Sequence, residues 1–123
     1  MTAQRQHPTD WEVIDDAECR RVAGIVEFLG RRWNSGIMLA VARGATRFTE
    51  IEASVRGLSA RMLAVRLREL EHAGLVDRVV EPTTPVSVRY VLTPRGRDLL
   101  SALQPLVTYG QRWELDGERR QSG

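Results

Sequence analysis

The sequence contains no lysine, one cysteine, two histidines and no glycine-rich phosphate-binding motif. A lone cysteine, Cys19, excludes an internal disulfide and a metal site built from several thiolates, although it can still react or pair with a second chain. The histidines show no paired ligand spacing, so the sequence offers nothing from which to assemble an enzyme active site. We therefore expect a protein without catalytic activity, metal or cofactor.

Long hydrophobic runs are also missing. No stretch approaches the ~18 apolar residues that a membrane span requires, and residues 1–10 lack the apolar core of a signal peptide. With 123 residues, of which 42% are hydrophobic and 28% charged, the composition is ordinary for one globular domain. We expect a cytoplasmic protein with no membrane partner.

The net charge of +2 conceals an uneven distribution. Residues 20–97 hold fourteen arginines against seven acids, whereas both flanking segments are net acidic. Arginine suits bidentate contact with phosphate and guanine, but a GC-rich coding genome explains the absence of lysine equally well. The clustering of positive charge is the better evidence, and it indicates a polyanionic partner.

Apolar periodicity predicts three helices in the first half of the chain. The first covers about 17–29 and ends near Gly30. The second is apolar on every side and therefore buried, with Asn34 as its N-cap and its end before Gly44. A third, short helix follows around residues 48–55.

The next segment, about 59–72, is predicted to be a helix with two different faces. Ser59 is a good N-cap and Gly74 a good stop. Leucines form the packing face, and the opposite face carries two arginines and no acid: Leu63, Leu67 and Leu70 against Arg61, Val65, Arg68 and His72. A short helix, a glycine-containing turn and a longer arginine-bearing helix together form a helix-turn-helix.

Beyond Gly74 the period changes from 3.6 to 2, which predicts a β-hairpin over about 75–92. The connection between its strands, 81–85, is polar and contains two prolines, as in a projecting loop. The polar ends of the chain, 1–14 and 116–123, are expected to be flexible and to flank a single domain.

A last helix is predicted over about 94–113, with Thr93 as N-cap. Pro105 lacks the N–H that would bond the carbonyl of Ser101, so a bend or break is expected there. The stripe of this helix is too apolar to face water, which favours packing against the same helix of a second subunit. The expected fold class is α+β, mainly α: a winged helix-turn-helix domain, 15–115, with a two-stranded hairpin wing and a C-terminal dimerisation helix.

Several motifs, in this order, resemble the HxlR-type transcriptional regulators, relatives of the MarR proteins. They are Gly30-Arg31-Arg32-Trp33, Arg47-Phe48-Thr49-Glu50-Ile51, Leu58-Ser59-Ala60-Arg61-Met62-Leu63, Arg66-Leu67-Arg68-Glu69-Leu70-Glu71, Ala73-Gly74-Leu75-Val76 and Tyr90-Val91-Leu92-Thr93-Pro94-Arg95-Gly96. The resemblance implies a homodimeric regulator, often a repressor, that binds an operator in double-stranded DNA. It places the recognition helix at Ser59–Arg68 and the wing at 81–87. In the run Pro85-Val86-Ser87-Val88-Arg89-Tyr90, which leads out of the wing, Arg89 replaces an acid usual in the family.

Chemistry then assigns roles on DNA. Ser59 and the free N–H groups of its helix turn suit a phosphate, Arg61 suits guanine O6 and N7, and Val65 suits a thymine methyl. Arg66 and Arg68 contact phosphates or instead pair with neighbouring acids. The expected DNA-binding residues are Arg47, Ser59, Ala60, Arg61, Met62, Val65, Arg66 and Arg68, with Thr83, Thr84 and Arg89 in the wing.

The resemblance also implies a regulatory role for Cys19. Family members commonly carry a cysteine at or just before the first helix, and in several it senses quinones, aldehydes or oxidants. An oxidant or quinone-like inducer acting at Cys19 is one hypothesis, and an inert, partly packed thiol is its alternative.

Other interpretations stay open at this point. Trp33, Tyr109 and Trp113 could line a pocket for a small aromatic inducer at a dimer interface, although packing is the default role of such aromatics. Glu69 and His72, spaced i, i+3, could touch a metal, but a solvated helix surface is the commoner outcome. The protein could also bind DNA without sequence preference, which duplex competition would reveal.

Overall fold

The computed structural model describes the backbone of residues 13–122 and the side chains of residues 13–113. The elements run in the order α1 (Asp16–Gly30), α2 (Asn34–Ala42), α3 (Phe48–Ser54), α4 (Ala60–His72), β1 (Val76–Glu81), β2 (Ser87–Leu92) and α5 (Pro94–Ser122). The strands pair antiparallel, with Val76 opposite Leu92 and Glu81 opposite Ser87. The predicted class, mainly helical with a two-stranded hairpin before a C-terminal helix, is confirmed. Most of the arm predicted over 1–14 lies outside the described residues.

The core lies between α2, α3, α4 and the hairpin. Fully buried side chains come from each of them: Ile37, Met38, Ile51, Leu63, Leu70 and Val76. The apolar α2 is central, as its sequence predicts, and the leucines of α4 face inward while Arg61 and Arg68 face solvent. Gly74, with φ +76°, follows α4 in the left-handed conformation that a glycine adopts without strain.

The prediction that Asn34 caps α2 is wrong. Trp33 occupies the N-cap position, with φ +85°, and Asn34 is the first helical residue. Its side chain is fully buried, and its Nδ2 donates a hydrogen bond to the carbonyl of Phe28 at 2.9 Å. Carbonyls at the end of a helix have no partner within that helix, so the amide satisfies one of them and ties α1 to α2.

The last helix is longer than predicted. α5 begins after Thr93, whose Oγ1 accepts a hydrogen bond from the N–H of Gly96 at 2.9 Å, but it runs on to Ser122 instead of ending near residue 113. The segment predicted as a flexible tail, 116–123, is therefore mostly helical, because Glu, Arg and Gln sustain a helix without an apolar stripe. Pro105 does not break the helix, and at an exposed position it removes a single backbone bond.

Two helices leave apolar side chains in solvent. α1 has no buried residue, and residues 101–113 of α5 are largely exposed. Seven large apolar or aromatic side chains on these helices are between 47% and 62% exposed: Val22, Ile25, Val26, Leu106, Val107, Tyr109 and Trp113. None of the helices, as far as the structure describes them, combines the length and the apolar character needed to cross a membrane.

Candidate nucleic-acid interface

The N-terminal half of α4 presents polar and basic groups to solvent. Ser59 caps the helix, and its Oγ accepts a hydrogen bond from the N–H of Met62 at 3.1 Å, which leaves the hydroxyl proton free to donate. The first intrahelical bond runs from Leu63 to the carbonyl of Ser59, so the N–H groups of Ala60 and Arg61 point beyond the helix end. Such a terminus favours an anion.

The side chains of α4 divide as its periodicity predicts, with one exception. Arg61, Val65 and Arg68 are exposed, and the first turn contains no acid. Met62 is half-buried and packs against the core, so its side chain does not belong to this exposed face. A face with two arginines and one small apolar side chain can bond base edges and contact a thymine methyl.

Arg66 differs from the other two arginines of α4. Its Nε donates to the carbonyl of Arg32 at 3.0 Å, and its Nη1 donates to Oε1 of Glu69 at 2.9 Å. Its side chain is only 17% exposed. Of the two alternatives for this residue, the structure shows the ion pair with an acid. Among the residues described, no such pair is found for Arg68.

The loop end of the hairpin is joined to the N-terminus of α3 by a chain of hydrogen bonds. Nη1 of Arg47 donates to Oγ of Ser87 at 2.6 Å, Ser87 donates to Oε1 of Glu81 at 3.2 Å, and Nε of Arg89 donates to Oε2 of Glu81 at 2.9 Å. The hydrogen bond from Arg89, followed by that from Ser87, holds the pKa of Glu81 below its ordinary value. The N–H of Tyr90 also bonds the carbonyl of Thr46 at 2.8 Å, so the hairpin is fixed to the helical body.

The sequence indicated Arg89 as a site residue. It did not indicate Glu81, the partner of Arg89, or Ser87, the other residue that bonds Glu81. The three positions face one another only through the pairing of β1 with β2, where Glu81 lies opposite Ser87. The alternation of polar and apolar residues within each strand does not predict which residues of the two strands lie opposite each other. At the tip, Thr83 and Thr84 are exposed, and Oγ1 of Thr83 donates to the carbonyl of Pro85 at 2.7 Å.

The residues proposed for sensing lie apart in the single chain. Cys19 is exposed in the first turn of α1. Trp33 is half-buried against the core, whereas Tyr109 and Trp113 are exposed on α5. A cleft of about 530 Å³ between α2 and α5 and one of about 480 Å³ between α1 and α5 are lined by none of the three aromatics. Neither of these clefts is therefore a pocket lined by Trp33, Tyr109 and Trp113.

Glu69 and His72 do not share a ligand-like arrangement. Glu69 accepts the hydrogen bond from Arg66 and lies 3.8 Å from Nη1 of Arg31, while His72 is exposed. In the part of the chain that the structure describes, no three His, Cys, Asp or Glu side chains cluster closely enough to hold a metal ion. The observed contacts of the Glu69 carboxylate are its ion pairs with Arg66 and Arg31.

Comparison with known proteins gives one consistent result. A family model described as HxlR-like helix-turn-helix matches residues 28–118. The HTH-type transcriptional regulator YvaP of Bacillus subtilis is 40% identical over 95 residues, which cover 77% of this chain and 88% of YvaP. The structure of diamide-treated YodB from B. subtilis superposes with a TM-score of 0.66 at 36% identity, covering 76% of this chain and 92% of that one.

A further solved structure is that of the redox regulator HypR in its oxidised form. It superposes with a TM-score of 0.67 at 30% identity, over 75% of this chain and 95% of HypR. These relatives are regulators, and they match over most of their own length. The chain therefore belongs to the HxlR-like helix-turn-helix family of DNA-binding transcriptional regulators, which are not enzymes.

Proposed function

We propose that two copies of this chain bind a palindromic operator in double-stranded DNA in the cytoplasm and repress transcription there. The observation that carries the proposal is the exposed face of α4, where an anion-favouring helix terminus adjoins Arg61, Val65 and Arg68. A phosphate at the terminus fixes the position of the helix, and the side chains read bases from that position.

Each α4 side chain has a distinct task in this arrangement. Arg61 donates to O6 and N7 of a guanine, and Val65 contacts a thymine methyl. Ser59 and the N–H groups of Ala60 and Arg61 hold one phosphate, and Arg68 holds another at the flank.

The hairpin acts as the wing. Thr83 and Thr84 contact DNA from its tip, Arg89 contacts a phosphate from β2, and Arg47 contacts a phosphate from the neighbouring start of α3. The bonds that Arg47 and Arg89 make to Ser87 and Glu81 hold both guanidinium groups in place and leave further N–H groups of each available for phosphate.

The exposed apolar side chains of α1 and α5 support the dimer. Burying a fully exposed large apolar side chain contributes about 1.5–3 kcal/mol, and these seven side chains are each about half exposed, so covering their exposed parts favours association. A two-fold axis through these helices places two α4 helices on successive major-groove turns, about 34–36 Å apart.

The test is selection of duplexes from a random library by the purified protein, followed by competition and footprinting. We expect an enriched palindrome that competes at least ~10³-fold better than a scrambled duplex of the same composition. Two protected half-sites one helical turn apart are expected in the footprint. Equal competition by both duplexes would identify a non-specific DNA-binding protein instead.

Cys19 is the proposed site of induction. The relatives YodB and HypR were solved after diamide treatment and in an oxidised form, respectively, and Cys19 is an exposed thiol. Because each chain has one cysteine, a disulfide joins the Cys19 sulfurs of two chains, and the oxidant accepts two electrons and two protons. A quinone instead adds to the thiol and forms a thioether.

We expect diamide or benzoquinone to release the wild-type protein from its selected duplex. The Cys19→Ser variant should bind that duplex normally and remain bound after treatment. A non-reducing gel reports the covalent pair formed with diamide. Release of the serine variant at the same dose would rule out Cys19 as the sensor.

A further inference from the structure

The segment between α1 and α2, residues Arg31, Arg32 and Trp33, is held by two residues of α4. Arg66 bonds the backbone carbonyl of Arg32 at 3.0 Å, and Glu69 lies 3.8 Å from the guanidinium of Arg31. Arg66 and Glu69 also bond each other at 2.9 Å. We call this pair the α4 clamp and the segment the α1–α2 connection.

The α1–α2 connection touches the helix-turn-helix at a second place. Trp33 adopts φ +85°, which is unusual for a residue with a side chain, and its ring covers Gly57 in the turn before α4. A Cβ added at Gly57 would lie 3.2 Å from the ring. The guanidinium carbon of Arg32 lies 4.6 Å from the ring centroid on Trp33. The α1–α2 connection thus contacts both the turn before α4 and the middle of α4.

At its other side the α1–α2 connection leads into α1. That helix has no buried residue of its own, and the buried Asn34 ties its end to α2 through the carbonyl of Phe28. The α1–α2 connection therefore links α4 to α1, in addition to the packing of the α4 leucines in the core. In a dimer that uses α1, the same geometry sets the angle between the two α4 helices.

We propose that Arg66 and Glu69 are positioning residues for DNA reading: the α4 clamp fixes the recognition helix on the α1–α2 connection, and Arg66 acts through this orientation and not by contacting phosphate. The proposal rests on the function proposed above, namely operator reading by α4. It implies that operator reading requires the acid Glu69, although the negative charge of Glu69 repels DNA.

The negative charge of Glu69 allows a specific test of this proposal. Removing an acid from α4 should strengthen binding to any duplex through electrostatics alone. We expect Glu69→Ala to weaken binding to the selected duplex about tenfold or more while binding to the scrambled duplex is unchanged or tighter. The matched control is Glu71→Ala, which removes the same charge from the same helix outside the clamp and should keep the preference.

Two more variants complete the test. Glu69→Gln retains a hydrogen-bond acceptor for Arg66, so it should lose less of the preference than Glu69→Ala, and thermal unfolding checks that each variant folds. Arg66→Ala should reduce the preference with little change in the salt dependence of scrambled-duplex binding. Its control, Arg68→Ala, should lower that salt slope by about 0.9, as the loss of one phosphate contact does.

The outcomes separate the two proposals. If the wild-type protein prefers its selected duplex and Glu69→Ala behaves like Glu71→Ala, the clamp is overturned and operator reading stands. If Arg66→Ala lowered the salt dependence of scrambled-duplex binding but kept the full preference for the selected duplex, the proposed role of the clamp would likewise be overturned. If the wild-type protein shows no preference, operator reading itself fails, and positioning for that reading fails with it.

Discussion

At the scale of single residues, the arginines divide by the partners they already have. Arg61 and Arg68 are exposed, whereas Arg66, Arg47 and Arg89 bond acceptors within the chain. Helical periodicity predicts which arginines of α4 face outward. It does not predict that Arg66 meets a carbonyl 34 residues away, because that contact depends on how α4 packs on the α1–α2 connection.

Replacing Arg61 and Arg89 by alanine should have different effects. Arg61→Ala removes a guanine contact, so we expect a loss of about 1–3 kcal/mol on the selected duplex and relaxed preference at one base position. Arg89→Ala removes a backbone contact and should weaken all duplexes alike. Competition with single-base variants of the selected duplex measures both effects. Equal losses on every duplex from both changes would refute this division.

At the scale of elements, the bounds of α4 could be predicted because both of its ends carry local signals, Ser59 before it and Gly74 after it. Asn34 misled prediction because a residue suited to capping is also suited to bonding a buried carbonyl, and only packing decides between them. The end of α5 lacks an apolar period, so the sequence resembles a tail while the backbone remains helical.

The start of α5 packs closely against Leu75, which precedes β1, and against Leu92 of the hairpin. A Cβ at Gly96 would clash with the carbonyl oxygen of Leu75, and a backbone atom cannot move aside as a flexible side chain can. Gly96→Ala should therefore lower the stability to unfolding by about 1–3 kcal/mol, measured with denaturant. At Gly24 in α1 a Cβ meets nothing within 4 Å, so Gly24→Ala should stabilise the protein by roughly 0.5–1 kcal/mol. If Gly96→Ala left the stability unchanged, the contact between position 96 and the carbonyl of Leu75 would not be tight.

At the scale of the whole molecule, the candidate DNA interface and a group of seven exposed apolar side chains lie on different elements. Basic side chains on α4, at the start of α3 and in the hairpin form the candidate DNA interface, while α1 and α5 carry the seven exposed apolar or aromatic side chains. The sequence predicted an apolar α5 that favours a dimer. It did not predict that α1 would also leave its apolar stripe exposed, since an amphipathic stripe is equally typical of a helix packed in a core.

A charge placed among these apolar side chains should separate the subunits. We expect Leu106→Glu to shift the molar mass in light scattering from two chains to one and to weaken operator binding, with helix content retained in circular dichroism. The control is Gln111→Glu, which adds the same charge to an exposed polar position of α5. A wild-type protein with the mass of one chain would contradict the proposed assembly.

A first helix that leaves most of its apolar stripe exposed within its own chain has a consequence for dosage. In an assembly built on that helix, the reading geometry exists only while two subunits are paired, so occupancy of a site rises with the square of the subunit concentration when subunits are scarce. A regulator of this design stays inactive at low copy number and switches on over a narrow range of expression. Newly made subunits thus leave their target open until enough of them have accumulated to meet.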